Sequence, residues 1–133
     1  GAPYDFSFSG LKSAVLNHIN HAHMMGEEIN VPDLMASFQY AVVDVLTSHA
    51  VEAAKNLGYD KVAIAGGVAS NSALRAEMKE ACEKAGLKFY YPSPIFCTDN
   101  AAMIGVAGYY EYINGTRSGL DLNAVPNLKL GER

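Results

Sequence analysis

The sequence lacks the features on which several classes of protein depend. No apolar run approaches the roughly 20 residues that cross a bilayer, and no secretory leader is recognisable, so no membrane-spanning segment is predicted. Its two cysteines form neither a CxxC pair nor a disulfide framework, and Cys82, on the apolar face of a predicted helix, is expected to be buried. A reducing, cytoplasmic setting is therefore the expectation.

Positive charge is also scarce. Ten Lys and Arg residues stand against fourteen Asp and Glu residues, a formal charge of 10 − 14 = −4. Proteins that hold nucleic acid by charge alone use clustered Lys and Arg, whereas the basic residues here are scattered. A solvated role is predicted for Lys12, Arg75, Lys79, Lys84, Lys88, Arg117 and Lys129. An RNA substrate held by another part of a larger protein remains compatible with this composition.

Familiar catalytic and metal motifs are missing too. The sequence contains no HExxH zinc motif and no GxSxG nucleophile motif. His18, His21 and His23 share one predicted helix, but positions i, i+3 and i+5 do not converge on one point. We therefore predict structural or solvated histidines rather than a metal cluster.

The residues that are present predict one helix-rich α/β domain. Half of them are hydrophobic, enough for a core of ordinary size. Apolar periodicity and turn residues predict helices over residues 9–25, 32–57 and 71–85, a fourth helix from Thr98 or Asp99 to about residue 113, and strands over residues 61–65 and 87–91. Expected helix starts are Ser9 and either Thr98 or Asp99, and the expected stops are Gly26, Gly58, Gly86 and Gly115. Two strands joined by a helix predict a small parallel β-α-β unit, and a sheet this small indicates that other strands complete it.

Two loops leave the carboxyl ends of the predicted strands, over residues 66–71 and 92–99. Ligands of open α/β sheets bind at this edge, and both loops lead into helix N-termini, which attract anions. Gly66 and Gly67 would let the backbone approach a phosphate closely. The sequence therefore predicts a site for a phosphate-bearing nucleotide.

Asn71 and Asp99 are the polar candidates in these loops. The Asn71 amide offers both a donor and an acceptor to a nucleotide, and the Asp99 carboxylate offers a hard oxygen ligand to a metal. Each residue could equally serve only as a helix cap, and Gly66 and Gly67 could form only a tight turn. These alternatives remain open from the residues alone.

Three segments carry a resemblance to a known family: residues 5–12 (DFSFSGLK), 66–75 (GGVASNSALR) and 97–105 (CTDNAAMIG). Their order and spacing resemble the C-terminal part of the TsaD, or glycoprotease, family of tRNA threonylcarbamoyladenosine synthesis, over nearly the whole chain. The resemblance implies a two-lobed, actin-like and Hsp70-like ATPase fold, with residues 1–133 as a fragment of the C-terminal lobe. The lack of an initiator Met at Gly1 fits a longer parent protein.

The resemblance also implies an activity. The parent enzyme would transfer a threonylcarbamoyl group from threonylcarbamoyl-AMP to the adenosine beside the tRNA anticodon. Gly66 and Gly67 would form the phosphate-side loop, Asn71 would contact the nucleotide, and Asp99 would be one ligand of a divalent iron or zinc ion acting as a Lewis acid. The adenylate is the expected ligand, with ATP as a second candidate. The implied partners are tRNA and, in a bacterium, a TsaB-type paralogue and a TsaE-type ATPase.

The sequence departs from the family in what it leaves out. The family's HxxxH metal motif and SGGHT-type phosphate loop belong to its N-terminal half and are absent here. The chain alone is therefore expected to be inactive, to bind nucleotide weakly, not to retain the metal, and to self-associate through exposed apolar surface and sheet edges. The alternatives are a carbamoyltransferase or small-molecule kinase of the same ATPase superfamily, or a non-catalytic interaction module.

Overall fold

The structure, a computed structural model, describes residues 4–129. In chain order these residues form α1 (Leu11–Met25), α2 (Val31–Asn56), β1 (Lys61–Ala63), α3 (Ser72–Ala85), β2 (Lys88–Tyr90) and α4 (Ala101–Ile113). Short 3-10 turns cover Gly67–Ser70 and Pro94–Phe96. The predicted four helices and two strands are confirmed over this range, although each strand is shorter than predicted.

The chain divides into two compact units, Gly1–Thr98 and Asp99–Arg133. The first contains α1, α2, α3 and both strands, and the second contains α4 and the segment that follows it. That residues 1–133 form one lobe of a larger protein stays a prediction.

The core of the first unit lies where α2 and α3 pack on the two-stranded sheet. β1 and β2 are parallel, with Val62 opposite Phe89, so the predicted parallel β-α-β unit is confirmed. Residues four apart share a helix face, and α3 accordingly turns Leu74, Met78 and Cys82 inward. The core residues are Val43, Ala54, Val62, Leu74, Met78 and Cys82.

Cys82 is fully buried in this core. Burial raises the pKa of its thiol, because a thiolate would lose its hydration in an apolar environment. The predicted structural role of Cys82 is confirmed.

The glycines predicted to end the helices do so. Gly26 and Gly86 adopt left-handed conformations at the ends of α1 and α3. Gly58 and Gly115, which follow α2 and α4, have φ values of 75° and 86°. Positive φ is the usual reason for glycine at a helix end.

Two predicted helix starts are wrong. α1 follows Gly10 rather than Ser9, and no side chain caps it. α4 is capped by Asn100 instead of Thr98 or Asp99, because Asn100 lies extended and its side-chain oxygen accepts the Met103 N–H at 2.9 Å. An N-cap side chain normally reaches an N–H two or three residues ahead, and here Asn100 meets that condition.

Helix α4 of the second unit is largely exposed among the residues that the structure describes. None of the thirteen α4 residues is buried within the described part of the chain, although Glu111 is the only charged residue in that helix. Residues 114–129 contain no helix or strand, as predicted. Within residues 4–129, no helix is both long enough and apolar enough to cross a membrane.

Candidate nucleotide-binding loop

The two adjacent glycines after β1 occupy their positions for different reasons. Gly66 has φ 83° and ψ 177°, a combination essentially restricted to glycine. Gly67 has no positive φ, and a Cβ added to it would meet no atom of the described residues within 4 Å. The backbone fold therefore requires glycine at position 66, whereas neither the local backbone nor crowding requires it at position 67.

A tight turn follows Gly66 and leads into α3. The Ala69 N–H donates to the Gly66 carbonyl at 3.0 Å, and the Asn71 N–H donates to the Val68 carbonyl at 2.9 Å. Gly66, Gly67 and Val68 are exposed, while Ala69 is buried beneath them. The turn thus presents an exposed glycine backbone at the carboxyl end of β1.

Asn71 caps α3, and the cap interpretation of this residue is confirmed. Its side-chain oxygen accepts the Leu74 N–H at 3.0 Å, and its amide nitrogen donates to the Gln39 side-chain oxygen at 3.1 Å. A primary amide carries two donor hydrogens and two acceptor lone pairs. Asn71 therefore retains one of each for a ligand while it caps the helix.

An apolar cavity of about 480 Å³ lies next to this turn. Gln39 and Asn71 are the polar side chains in its wall, and the rest of the lining is hydrophobic. The apolar lining residues are Met35, Phe38, Val42, Val43, Leu46, Val68 and Leu74. A mostly apolar wall with a few polar groups is typical of small-molecule sites.

Arg75 was predicted to be solvated, but the structure places it differently. Its guanidinium is half-buried. Nε donates to the Ala69 carbonyl, and Nη2 donates to the Pro92 carbonyl at 3.0 Å and to the Cys97 sulfur at 3.2 Å. The prediction of a solvated Arg75 is wrong because the side chain spans two loops that are distant in sequence. Its place in the first turns of α3 was the available signal, since long helical side chains lean towards the helix N-terminus.

Asp99 begins the second unit and is exposed. Across residues 4–129, no group of three or more His, Cys, Asp or Glu side chains could hold a metal ion. A structural or catalytic zinc needs at least three protein ligands. The described residues alone do not make such a site, and the role of Asp99 as one metal ligand stays a prediction.

Comparison with known proteins identifies the family. The model of the family "TsaD: tRNA N6-adenosine threonylcarbamoyltransferase" matches residues 1–106. The chain belongs to the TsaD family. This match includes the positions of Gly66, Gly67, Asn71 and Asp99, and it favours TsaD over the related carbamoyltransferases and kinases.

Curated TsaD relatives are much longer than this chain. The proteins named tRNA N6-adenosine threonylcarbamoyltransferase from Clostridium botulinum (strain Hall) and Clostridium perfringens (strain 13) are each 60% identical to it over 129 residues. Those residues are 97% of this chain and 38% of each relative. The chain therefore spans less than half the length of the TsaD proteins it matches.

Proposed function

We propose that this chain is the C-terminal part of a tRNA N6-adenosine threonylcarbamoyltransferase and supplies one face of its adenylate-binding cleft. The enzyme would move threonylcarbamoyl from threonylcarbamoyl-AMP to the adenosine beside the tRNA anticodon. The observation that carries the proposal is Gly67, whose exposed backbone lies at a strand end in a chain that matches TsaD. We expect the enzyme to act in the cytoplasm, where its tRNA substrate is made.

The phosphate of the adenylate would lie against the exposed backbone of Gly66 and Gly67. Gly66 sets the turn by its conformation, and the open space at Gly67 allows an anion to approach main-chain atoms without a Cβ between them. The N-terminus of α3, which follows directly, adds a favourable dipole for negative charge.

The nucleoside would occupy the neighbouring cavity. Its 480 Å³ and hydrophobic lining suit a flat aromatic base. Asn71 and Gln39 hydrogen-bond to each other at its wall, so their remaining donors and acceptors are positioned for the polar edge of a base or a ribose hydroxyl. Because Val68 lines the cavity and follows Gly67 in the chain, base and phosphate would bind at adjoining places.

The remaining chemistry depends on residues beyond this chain. Asp99 would contribute one ligand to an iron or zinc ion, which supplies Lewis-acid polarisation when bound. The other ligands would come from the longer protein, since the described residues form no group of three. The tRNA, a TsaB-type paralogue and a TsaE-type ATPase would likewise engage the whole enzyme.

A Gly67→Ala substitution in the full-length protein tests the phosphate-side role. Neither backbone strain nor a clash is expected, so stability should change by less than about 0.5 kcal/mol, while the Kd for AMP should rise about tenfold or more. Ser70→Ala, on the same turn and also exposed, is the matched control and should bind AMP normally. Wild-type affinity in Gly67→Ala would contradict the proposal.

A reconstitution experiment tests whether the 133-residue chain alone can carry out the transfer. The 133-residue chain, given tRNA and threonylcarbamoyl-AMP, should form no modified adenosine detectable by mass spectrometry of the digested tRNA. The full-length protein, with its partners, should form it. Formation of the modified adenosine by the 133-residue chain alone would contradict the proposal that it supplies only one face of the cleft.

A further inference from the structure

Arg75 connects the two loops that leave the carboxyl edge of the sheet. It is the fourth residue of α3, and its long side chain leans towards the helix N-terminus. The guanidinium thereby reaches back to Ala69, in the turn after β1, and across to Pro92, two residues after the end of β2.

The planar shape of the guanidinium suits simultaneous contact with two loops. Its Nε and Nη2 atoms point to different acceptors, with Nε on the first loop and Nη2 on the second. The group also lies over the Tyr91 ring, 4.6 Å from the ring centroid. A lysine has a single point charge and cannot reproduce a rigid fork of donors.

The second loop is held through a buried thiol as well as through a carbonyl. Cys97 is 3% exposed, its sulfur accepts from Arg75 at 3.2 Å, and its thiol donates to the Ser93 carbonyl oxygen, with 3.5 Å between sulfur and oxygen. The chain reaches Asp99 two residues later. Arg75 therefore contacts both ends of the loop over residues 92–97.

No ion pair among the described residues involves Arg75. Its partners are neutral: two carbonyls, a thiol and an aromatic ring. A positive charge held by neutral groups from two loops depends on both loops keeping their places, because losing either leaves a half-buried charge with fewer partners. One side chain thus contacts both loops.

We propose that Arg75 is a positioning residue that sets the spacing between the Gly66–Gly67 turn and the loop over residues 92–97, and thereby the shape of the adenylate-binding face. The proposal rests on the proposed function for its consequence in binding. The coupling of the loops rests on the contacts of Arg75 alone. The two parts can therefore fail separately.

Hydrogen exchange in the full-length protein tests the coupling, with Arg75→Met, Arg75→Lys and a matched control, Arg117→Met. Arg117 also donates to two backbone carbonyls and lies over a tyrosine ring, but its acceptors are the neighbouring residues Tyr112 and Thr116. In Arg75→Met, we expect the amides of Ala69, Asn71, Phe96 and Cys97 to exchange at least about tenfold faster, the usual mark of a lost local restraint. The Leu87 amide, bonded to the Cys82 carbonyl at the end of α3, should change less than about twofold.

Two further variants show whether the effect depends on the contacts of Arg75 with both loops. Arg75→Lys keeps the charge and should protect one loop but not both, and Arg117→Met should leave both loops unchanged. The coupling is overturned if Arg75→Met accelerates exchange in neither loop or in one loop only. It is also overturned if exchange rises equally at Leu87, since that would mean a general loss of stability.

Calorimetric titration with AMP tests the binding consequence on the same proteins. Arg75→Met should raise the Kd for AMP about tenfold, with Arg75→Lys in between, and Arg117→Met should bind as the wild type does. If wild-type protein does not bind AMP, the proposed function fails, while the exchange data still decide the coupling. If both loops loosen and AMP affinity stays at the wild-type value, the positioning role is refuted.

Discussion

Helices α3 and α4 begin alike and are buried very differently. Each follows a loop, and each is capped by an asparagine whose side-chain oxygen accepts an N–H three residues ahead, at 3.0 Å from Asn71 and 2.9 Å from Asn100. α3 carries six charged residues and still buries Leu74, Met78 and Cys82. α4 carries one charged residue, and none of its residues is buried in the described part of the chain. Capping is thus a local property, whereas burial depends on what surrounds the helix.

The composition of α4 indicates surroundings that the described residues do not supply. A helix that is hydrophobic on all sides is normally buried in a larger structure, and the TsaD relatives are more than twice as long as this chain. We expect α4 to be covered in the full-length protein, and to promote self-association of the isolated chain. Light scattering that shows a clean monomer would contradict the second expectation.

The largest predicted effect compares one methionine in each helix. Met78 is 1% exposed in α3 and Met103 is 45% exposed in α4. Met78→Ala should lower the free energy of unfolding of the 133-residue chain by about 2–5 kcal/mol through a lost contact surface and a cavity. Met103→Ala, the same chemical change, should cost less than about 0.5 kcal/mol. Urea unfolding followed by circular dichroism measures both, and equal costs would show that α4 is packed as firmly as α3.

The second effect compares the two caps. Asn71→Ala should lower the free energy of unfolding by about 1 kcal/mol, because it removes the cap of a helix in the core. Asn71→Asp keeps the cap acceptor and should be milder. Asn100→Ala should leave the main unfolding transition unchanged and should instead speed amide exchange in the first turn of α4. A loss of global stability in Asn100→Ala would place α4 in the same cooperative unit as α3.

The third effect depends on pH and belongs to α3 alone. Burial raises the pKa of the Cys82 thiol, so the folded state holds that proton more tightly than the unfolded state, where the pKa is about 8.5. The stability that this provides is fully present below the unfolded pKa and is lost as pH rises above it, by at most about 1.4 kcal/mol per pH unit. Urea midpoints measured from neutral to alkaline pH should fall for the wild type and fall less for Cys82→Ala. Parallel pH profiles would refute this assignment.

The smallest effect concerns a surface ion pair on α3. The Lys84 ammonium and a Glu80 carboxylate oxygen lie 2.6 Å apart and both side chains are exposed. The pair lowers the pKa of Glu80 and raises that of Lys84, but solvent and salt screen exposed pairs. Lys84→Met should therefore produce no resolvable change in the urea midpoint at either low or high salt. A clear, salt-sensitive loss would mean that the outer face of α3 contributes to stability.

What the sequence predicted and what it missed follow the same division between local and tertiary structure. The glycine stops, the burial of Cys82 and the cap role of Asn71 depend on periodicity and turn chemistry within a few residues, and each was predictable. The family was also recognisable from three motifs. The cap of α4 was misassigned because Thr98, Asp99 and Asn100 are all good N-cap residues.

The position of Arg75 could not be derived in this way. Its acceptors lie 6, 17 and 22 residues away, and only the parallel pairing of β1 with β2 brings those loops within reach of one side chain. The ligand roles of Gly66, Gly67, Asn71 and Asp99 remain predictions for a related reason. Under the proposed function, these roles would need further groups from the longer protein.

The contrast between Gly66 and Gly67 has a consequence for variant libraries. A mutational scan that measures protein abundance and tRNA modification separately should find that substitutions at the two positions affect different measurements. Substitutions at Gly66 should deplete the protein itself, since the conformation at that position excludes other residues. Substitutions to small residues at Gly67 should leave a normal amount of protein with weakened tRNA modification, so the two adjacent glycines would be retained for different reasons.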